Sequence, residues 1–138
     1  MKRLIKTVLL VSAFSATGLA NAASPDMLGT WSGTTNSTVF GNIGHFESVE
    51  HKMPRFLHAK ISYVIDKQDG PNFAGYKASA THKEIVAGAL RQDGRSGVMA
   101  DEDGMMTFNL ITKNKMEMCY SQATPASTAV SCGIYERK

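Results

Sequence analysis

Beyond its first 22 residues, the 138-residue chain has neither a net charge nor a second long apolar run. Three of its 15 lysines and arginines, but none of its 12 aspartates and glutamates, lie in that opening segment, which leaves 12 charges of each sign in the remainder. A neutral surface offers no cluster of cations to a phosphate backbone or to anionic lipids. The composition therefore argues against nucleic acid as a partner and predicts no membrane anchor in the remainder.

Sequence signatures of catalysis are also missing. The chain has no Gly-x-Ser-x-Gly turn that would present a nucleophilic serine. Asp101, Glu102 and Asp103 precede Gly104 and resemble the start of a calcium loop, but the later glutamate ligand is absent and position 112 is a threonine. We interpret this segment as a charged hairpin turn. We expect a protein that is not an enzyme and needs no cofactor.

The opening segment has the pattern of an export signal. Lys2, Arg3 and Lys6 precede an apolar run over residues 8–19, which is short of the about 20 residues that span a bilayer. Ala20-Asn21-Ala22 then offers the small-x-small pattern cut by signal peptidase. We expect a signal peptide over residues 1–22, cleavage near Ala22, one domain over residues 23–138, and a periplasmic or secreted destination.

The chain has two cysteines, Cys119 and Cys132, and in an oxidising compartment such a pair favours a disulfide. Residues 115–121 and 129–137 have the composition of strands, and the polar segment between them contains Pro125. A hairpin centred between residues 125 and 126 places Cys119 opposite Cys132, where a disulfide can form. Closing this loop would stabilise the fold by about 3 kcal/mol. A redox or metal role for the two cysteines is the alternative.

Alternation of apolar and polar residues dominates the chain after the signal, and helical periodicity is nearly absent. Three Asp-Gly pairs, ending at Gly70, Gly94 and Gly104, separate the alternating segments and suit turns that need a positive φ. The spacing predicts an all-β fold, a single small antiparallel up-and-down β-barrel of about eight strands. The predicted strands cover residues 28–39, 56–66, 72–79, 84–91, 97–101, 105–112, 115–121 and 129–137.

The start and the end of this predicted barrel carry a motif. Gly29-Thr30-Trp31 lies on the first strand, and Arg137 lies at the end of the last one. This arrangement resembles the calycin group, which includes lipocalins and avidin-like barrels, and the chain is also similar to small exported bacterial proteins. The resemblance implies that Trp31 closes one end of the barrel and that Arg137 packs across it. Trp31 is the only tryptophan, whereas avidin-like proteins build their biotin pocket from several, so biotin is not the expected ligand.

The long connection over residues 40–55 is the candidate functional segment, because loops of this length in small domains are often binding segments. It contains His45, Glu47, Glu50 and His51, which could supply an acid–base pair or metal ligands, although their spacing matches no standard metal site. Tyr63 and Tyr76 lie on neighbouring strands and could line or fill the barrel. We predict ligand contacts from His45, His51, Tyr63 and Tyr76.

These observations predict an exported binding protein that recognises a small molecule at the mouth of the barrel. One alternative is a module for a protein partner, such as an inhibitor of an exported enzyme or a surface-interaction protein. A third function, a periplasmic copper carrier, would use the thioethers of Met116 and Met118, because soft sulfur ligands suit Cu(I). Packing of both methionines in the core is the simpler interpretation.

Overall fold

The computed structural model describes residues 24–43 and 53–138, and these form one closed antiparallel β-barrel without a helix. This confirms the predicted fold class. The predicted signal peptide over residues 1–22 lies outside the described residues. The eight strands are β1 (Gly29–Gly41), β2 (Arg55–Asp69), β3 (Asn72–Ala78), β4 (Lys83–Leu90), β5 (Ser96–Ala100), β6 (Met105–Thr112), β7 (Lys115–Ala123) and β8 (Ser127–Arg137).

The strands follow each other around the barrel in chain order, and β8 pairs with β1 to close it. Each strand exposes one face to solvent and buries the other, as the alternation predicts. On β2, for example, Ile61, Tyr63 and Ile65 are buried, whereas His58 and Lys60 are exposed. Closure pairs all eight strands around the ring and avoids the long unpaired edges of an open sheet.

One end of the interior is apolar and filled. The largest side chains with almost no exposure include Trp31, Met27, Phe108 and Met116. The Phe73 and Phe108 rings meet edge to face at 5.9 Å, and they lie where Cβ atoms would stand on Gly88 and Gly97. Those two glycines therefore admit the aromatic pair into the narrow barrel. We call this the apolar end.

Trp31 and Arg137 pack against each other at the apolar end. The Arg137 guanidinium carbon lies 5.0 Å from the centre of the Trp31 rings. The same guanidinium donates to the carbonyls of Asp26 at 2.7 Å and Lys113 at 2.7 Å, and the Trp31 indole N–H donates to the carbonyl of Met27 at 2.9 Å. The N-terminal segment before β1, β8 and the β6–β7 turn are thereby fastened together over the buried indole.

The Cys119–Cys132 disulfide is present, with a Cα–Cα distance of 4.1 Å. The two residues are direct partners in the β7–β8 ladder, so the hairpin has the predicted register. Both cysteines are joined to each other, which confirms a disulfide over a metal site at these residues. The bond is consistent with an exported protein.

The Asp-Gly turns follow the prediction at two of three positions. Gly70 and Gly94 have φ of 55° and 61°, in the left-handed region that favours glycine. Gly104 does not have a positive φ, so the prediction is wrong there. A Cβ on Gly104 would lie 2.4 Å from the Tyr120 ring, so a close approach of this ring explains the glycine instead.

The turn between β4 and β5 provides a test of acid stability. Asp93 accepts hydrogen bonds from the Ser96 hydroxyl and from the main-chain N–H groups of Ser96 and Arg95, which lower the pKa of Asp93 to about 2. A lowered pKa contributes stability that is present above the ordinary value of about 4 and is lost as the pH falls towards 2. The stability gap between the native protein and Asp93→Asn, from urea unfolding midpoints, should therefore shrink between pH 4 and pH 2. A gap that stays constant over this range would contradict the assignment.

Candidate functional site

The interior at the end opposite Trp31 is polar, and we call it the polar end. β1, β3, β5 and β7 finish there, and β2, β4, β6 and β8 begin there. Many inward-facing residues near these strand ends carry hydroxyl, amide or charged groups, and a small apolar cluster of Val39, Ile43 and Ala129 lies among them. The buried polar residues of the polar end include Thr35, Ser37, Lys77, Glu84, Gln122 and Ser127.

Lys77, near the end of β3, is the centre of this polar end. Its side chain is 4% exposed. The ammonium lies 2.6 Å from a carboxylate oxygen of Glu84, in direct ion-pair contact with Asp101, and 4.7 Å from the centre of the Tyr120 ring. Residues from β3, β4, β7 and the β5–β6 turn therefore converge on one buried cation. A buried lysine needs such partners, because an isolated charge in a protein interior is very costly.

Asp101 and Asp103 come from the turn between β5 and β6. Asp101 Oδ1 accepts the main-chain N–H of Gly104 at 2.8 Å, which confirms the predicted charged turn. Carboxylate oxygens of Glu84, Asp101 and Asp103 all lie within 4.8 Å of one another, an arrangement that could hold a metal ion. The Lys77 ammonium already contacts two of these carboxylates, so the cluster holds a cation of its own.

A small cavity lies beside this ion cluster. Its volume is about 30 Å³, which suits one or two water molecules rather than a drug-sized ligand. Polar and apolar side chains share its wall, and Ile43, just after β1, contributes to it. The lining residues are Thr35, Ser37, Ile43, Ile61, Tyr63, Lys77, Tyr120, Ala129, Ser131 and Tyr135.

Three tyrosines around the cavity have raised pKa values. Burial is the largest cause for Tyr63, Tyr120 and Tyr135, because it disfavours the phenolate. The Tyr120 hydroxyl also lies 2.8 Å from Asp103 Oδ1 and 2.8 Å from Gln122 Oε1, and its hydrogen bond to the Asp103 carboxylate raises the pKa further. These hydroxyl groups therefore stay neutral and can donate hydrogen bonds at any physiological pH.

The raised pKa values predict a distinctive alkaline titration. Three of the chain's four tyrosines should remain protonated above pH 10 while the protein is folded. A raised tyrosine pKa contributes stability that is fully present below the unfolded value of about 10 and is lost as the pH rises above it. Absorbance at 295 nm should therefore show the three ionising together with alkaline unfolding. Independent ionisation of three or four tyrosines near pH 10 in a folded protein would contradict this.

Of the four residues predicted to form one ligand site, Tyr63 and Tyr76 lie apart. His45 and His51 lie outside the described residues. Tyr63 faces the interior and lines the cavity. Tyr76 faces the outside, beside the exposed Ile85 and under the Lys83 ammonium, which lies 3.7 Å from its ring centre. The two tyrosines lie on opposite sides of the barrel wall and form no common surface.

Sequence reasoning missed Lys77 and Glu84, although a signal for both was present. Alternation places Lys77 on the same face of its strand as the buried Phe73, and Glu84 on the same face as Val86. A charged residue on an inward face at one strand end, opposite a countercharge on the next strand, indicates a buried ion pair. The contact between Lys77 and Asp101 joins residues 24 positions apart, so the local pattern could not predict it.

Comparisons with protein-family models, with curated proteins and with solved structures found no match for this chain. In residues 24–43 and 53–138 there is also no helix of the length and apolarity that crossing a membrane requires.

Proposed function

We propose that the protein is an exported, non-enzymatic binding protein that takes up a small polar molecule at the polar end of a calycin-like barrel. The observation that supports this most directly is the asymmetry of the interior. One end is filled with apolar side chains, whereas the other holds the Lys77 ion cluster, neutral tyrosine hydroxyls and a small cavity. Export is supported by the disulfide, and the signal pattern adds to it.

The ion cluster supports a binding role because the fold alone does not require buried charges at this place. Desolvating ion pairs offsets much of their attraction, and well-packed apolar residues often serve the fold as well or better. A polar ligand, in contrast, needs donors and acceptors that are held in place before it arrives. Lys77, Glu84 and the Tyr120 hydroxyl offer both charges and a neutral donor within one site.

The limited volume restricts the ligand. A cavity of about 30 Å³ excludes a large apolar molecule of the kind that lipocalin-type barrels enclose. A larger polar ligand would have to displace Ile43, whose side chain is 7% exposed and covers the cavity from the end of β1. β1 ends and β2 begins at this end, where the Arg55 guanidinium donates to the Gly41 carbonyl at 2.6 Å. The connection containing His45 and His51 is therefore attached beside the proposed site.

Native mass spectrometry of protein isolated from its export compartment tests the proposal. The expected mass is that of a chain starting at Ala23 with its disulfide formed, increased by one small molecule. Ser131→Val, at the cavity wall, should lose this adduct, whereas Thr128→Val, on the exposed face of the same strand, should keep it. A native protein that carries no adduct, or an adduct that survives Ser131→Val unchanged, would count against the proposal.

The other two functions make different predictions. A module for a protein partner requires an outer surface that binds that partner, and it predicts a stable complex without a small ligand.

A copper carrier requires accessible thioethers, but Met116 and Met118 are 1% and 2% exposed and pack in the apolar core. Their position supports the core interpretation, and calorimetric titration with Cu(I) would distinguish the two.

A further inference from the structure

The pairing between β4 and β5 stops before β4 does. The ladder runs from Leu90 opposite Gly97 to Ala87 opposite Ala100, and there β5 ends. β4 extends beyond it from Val86 to Lys83, still paired with β3 on its other side. Among residues 24–43 and 53–138, no strand therefore lies beside this part of β4 on the β5 side.

The hydrogen-bonding direction along β4 shows which groups face this gap. The Arg91 N–H donates to the Ser96 carbonyl at 2.7 Å, and the Leu90 N–H donates to the Pro71 carbonyl on the opposite side at 2.9 Å. Main-chain groups alternate in direction along a strand. Ile85 and Lys83 therefore direct their N–H and C=O groups toward the side on which β5 has ended.

A groove of about 660 Å³ lies on the outside of the barrel at this place. Tyr76, Ile85 and Ala87 give it an apolar wall, and Ile85 is 73% exposed. Val86 and Asp101 also line the groove although both side chains are buried, so the groove extends into the gap between the strands. We call the groove and the free edge together the β4 slot.

The inner side of the gap is closed by the ion cluster. The Lys77 ammonium joins Glu84 on β4 to Asp101 just after β5, behind the place where the ladder is interrupted. An occupant of the β4 slot would therefore contact the barrel wall without displacing the core. The slot and the cavity at the polar end lie on opposite sides of this cluster.

We propose that the β4 slot binds an extended peptide segment of a protein partner by adding a strand to β4. An extended main chain is the chemistry that matches the regularly spaced donors and acceptors of a free edge. Side chains opposite Lys83 and Ile85 are two positions apart on the same face of such a strand. Asp66, Lys67 and Glu102 also line the groove, so its charges are mixed. Lys83 and Ile85 lie on the edge itself, and at these two positions they favour a peptide with an acidic residue two positions from an aliphatic one.

The edge itself argues against a second copy of this chain as the occupant. Another copy would offer the same short edge, whose outward side chains are Lys83 and Ile85 and include no acidic group. Short edges that carry lysine also protect native sheets against self-association. The proposal does not depend on the small-molecule site, because Lys83 and Ile85, the two side chains that would contact the peptide, face outward.

Phage-displayed random 12-residue peptides, selected on the oxidised protein, test the proposal. Enriched peptides should contain the acidic–x–aliphatic pattern and bind Ile85→Glu at least tenfold more weakly. Val130→Glu should bind them as the native protein does, because Val130 is 54% exposed but paired with strands on both sides. Lys83→Glu should lose affinity for the acidic peptides and retain the native fold.

Hydrogen exchange gives a second measurement on the same samples. In the free protein the Ile85 amide should exchange at least tenfold faster than that of Ala87, and bound peptide should slow it at least tenfold. The proposal is overturned if no peptide is enriched, if the enriched peptides bind Ile85→Glu equally well, or if protection appears elsewhere. A dimer that Ile85→Glu dissociates would instead identify a second copy as the occupant.

Discussion

Replacing Lys77 by alanine is expected to lower the free energy of unfolding by about 3–5 kcal/mol, the range for breaking a buried ion pair by removing one partner. The Lys77 ammonium contacts carboxylates of Glu84 and Asp101, whose side chains are 5% and 0% exposed. Without the ammonium, the two carboxylates remain buried beside each other, and Glu84 keeps only weaker compensation from the imidazole of His82, which lies 3.0 Å from its Oε1. Urea unfolding followed by far-ultraviolet circular dichroism measures the change.

The cause of this effect can be separated from loss of volume. Lys77→Met refills the space without restoring the charge, so most of the destabilisation should remain at pH 7. A variant that also carries Glu84→Gln and Asp101→Asn removes both carboxylate charges and should recover much of the stability. Lys83→Met is the matched control, because Lys83 is exposed, and its change should stay below about 1 kcal/mol. A Lys77→Met protein as stable as the native one at pH 7 would refute the electrostatic explanation.

The architecture could be predicted from sequence because its determinants are local. β6 has the predicted bounds, Met105–Thr112, and the β7–β8 hairpin has the register needed to bring Cys119 to Cys132. Alternation with period two defines inward and outward faces, and short polar turns between successive strands favour antiparallel neighbours. Eight such strands in sequence leave closure into a barrel as the simplest way to avoid exposed edges.

The candidate site was harder to predict because it depends on which side of the wall each residue faces. Phe73 and Tyr76 are three positions apart on β3 and therefore face opposite sides, and nothing in the local composition says which of these two aromatic residues is inside. The structure places Phe73 inside, together with Lys77, and Tyr76 outside. The β4 slot results from the different lengths of β4 and β5. The predicted strands over residues 84–91 and 97–101 already differ in length, but the register that decides which residues of β4 lie beyond β5 comes from the structure.

Replacing Trp31 by alanine is expected to destabilise the barrel by about 3–5 kcal/mol, the range for removing a large buried aromatic side chain. Trp31 is 0% exposed, and its indole accounts for both the hydrogen bond to Met27 and the surface beneath Arg137. Trp31→Phe should lose less, because it retains an aromatic ring beneath the guanidinium.

Leu28→Ala, at a 44% exposed position next to this end, is the matched control and should change stability by less than about 1 kcal/mol. Circular dichroism is the required signal, because the variant has no tryptophan. A Trp31→Ala change below about 1 kcal/mol would show that the apolar end closes without the indole.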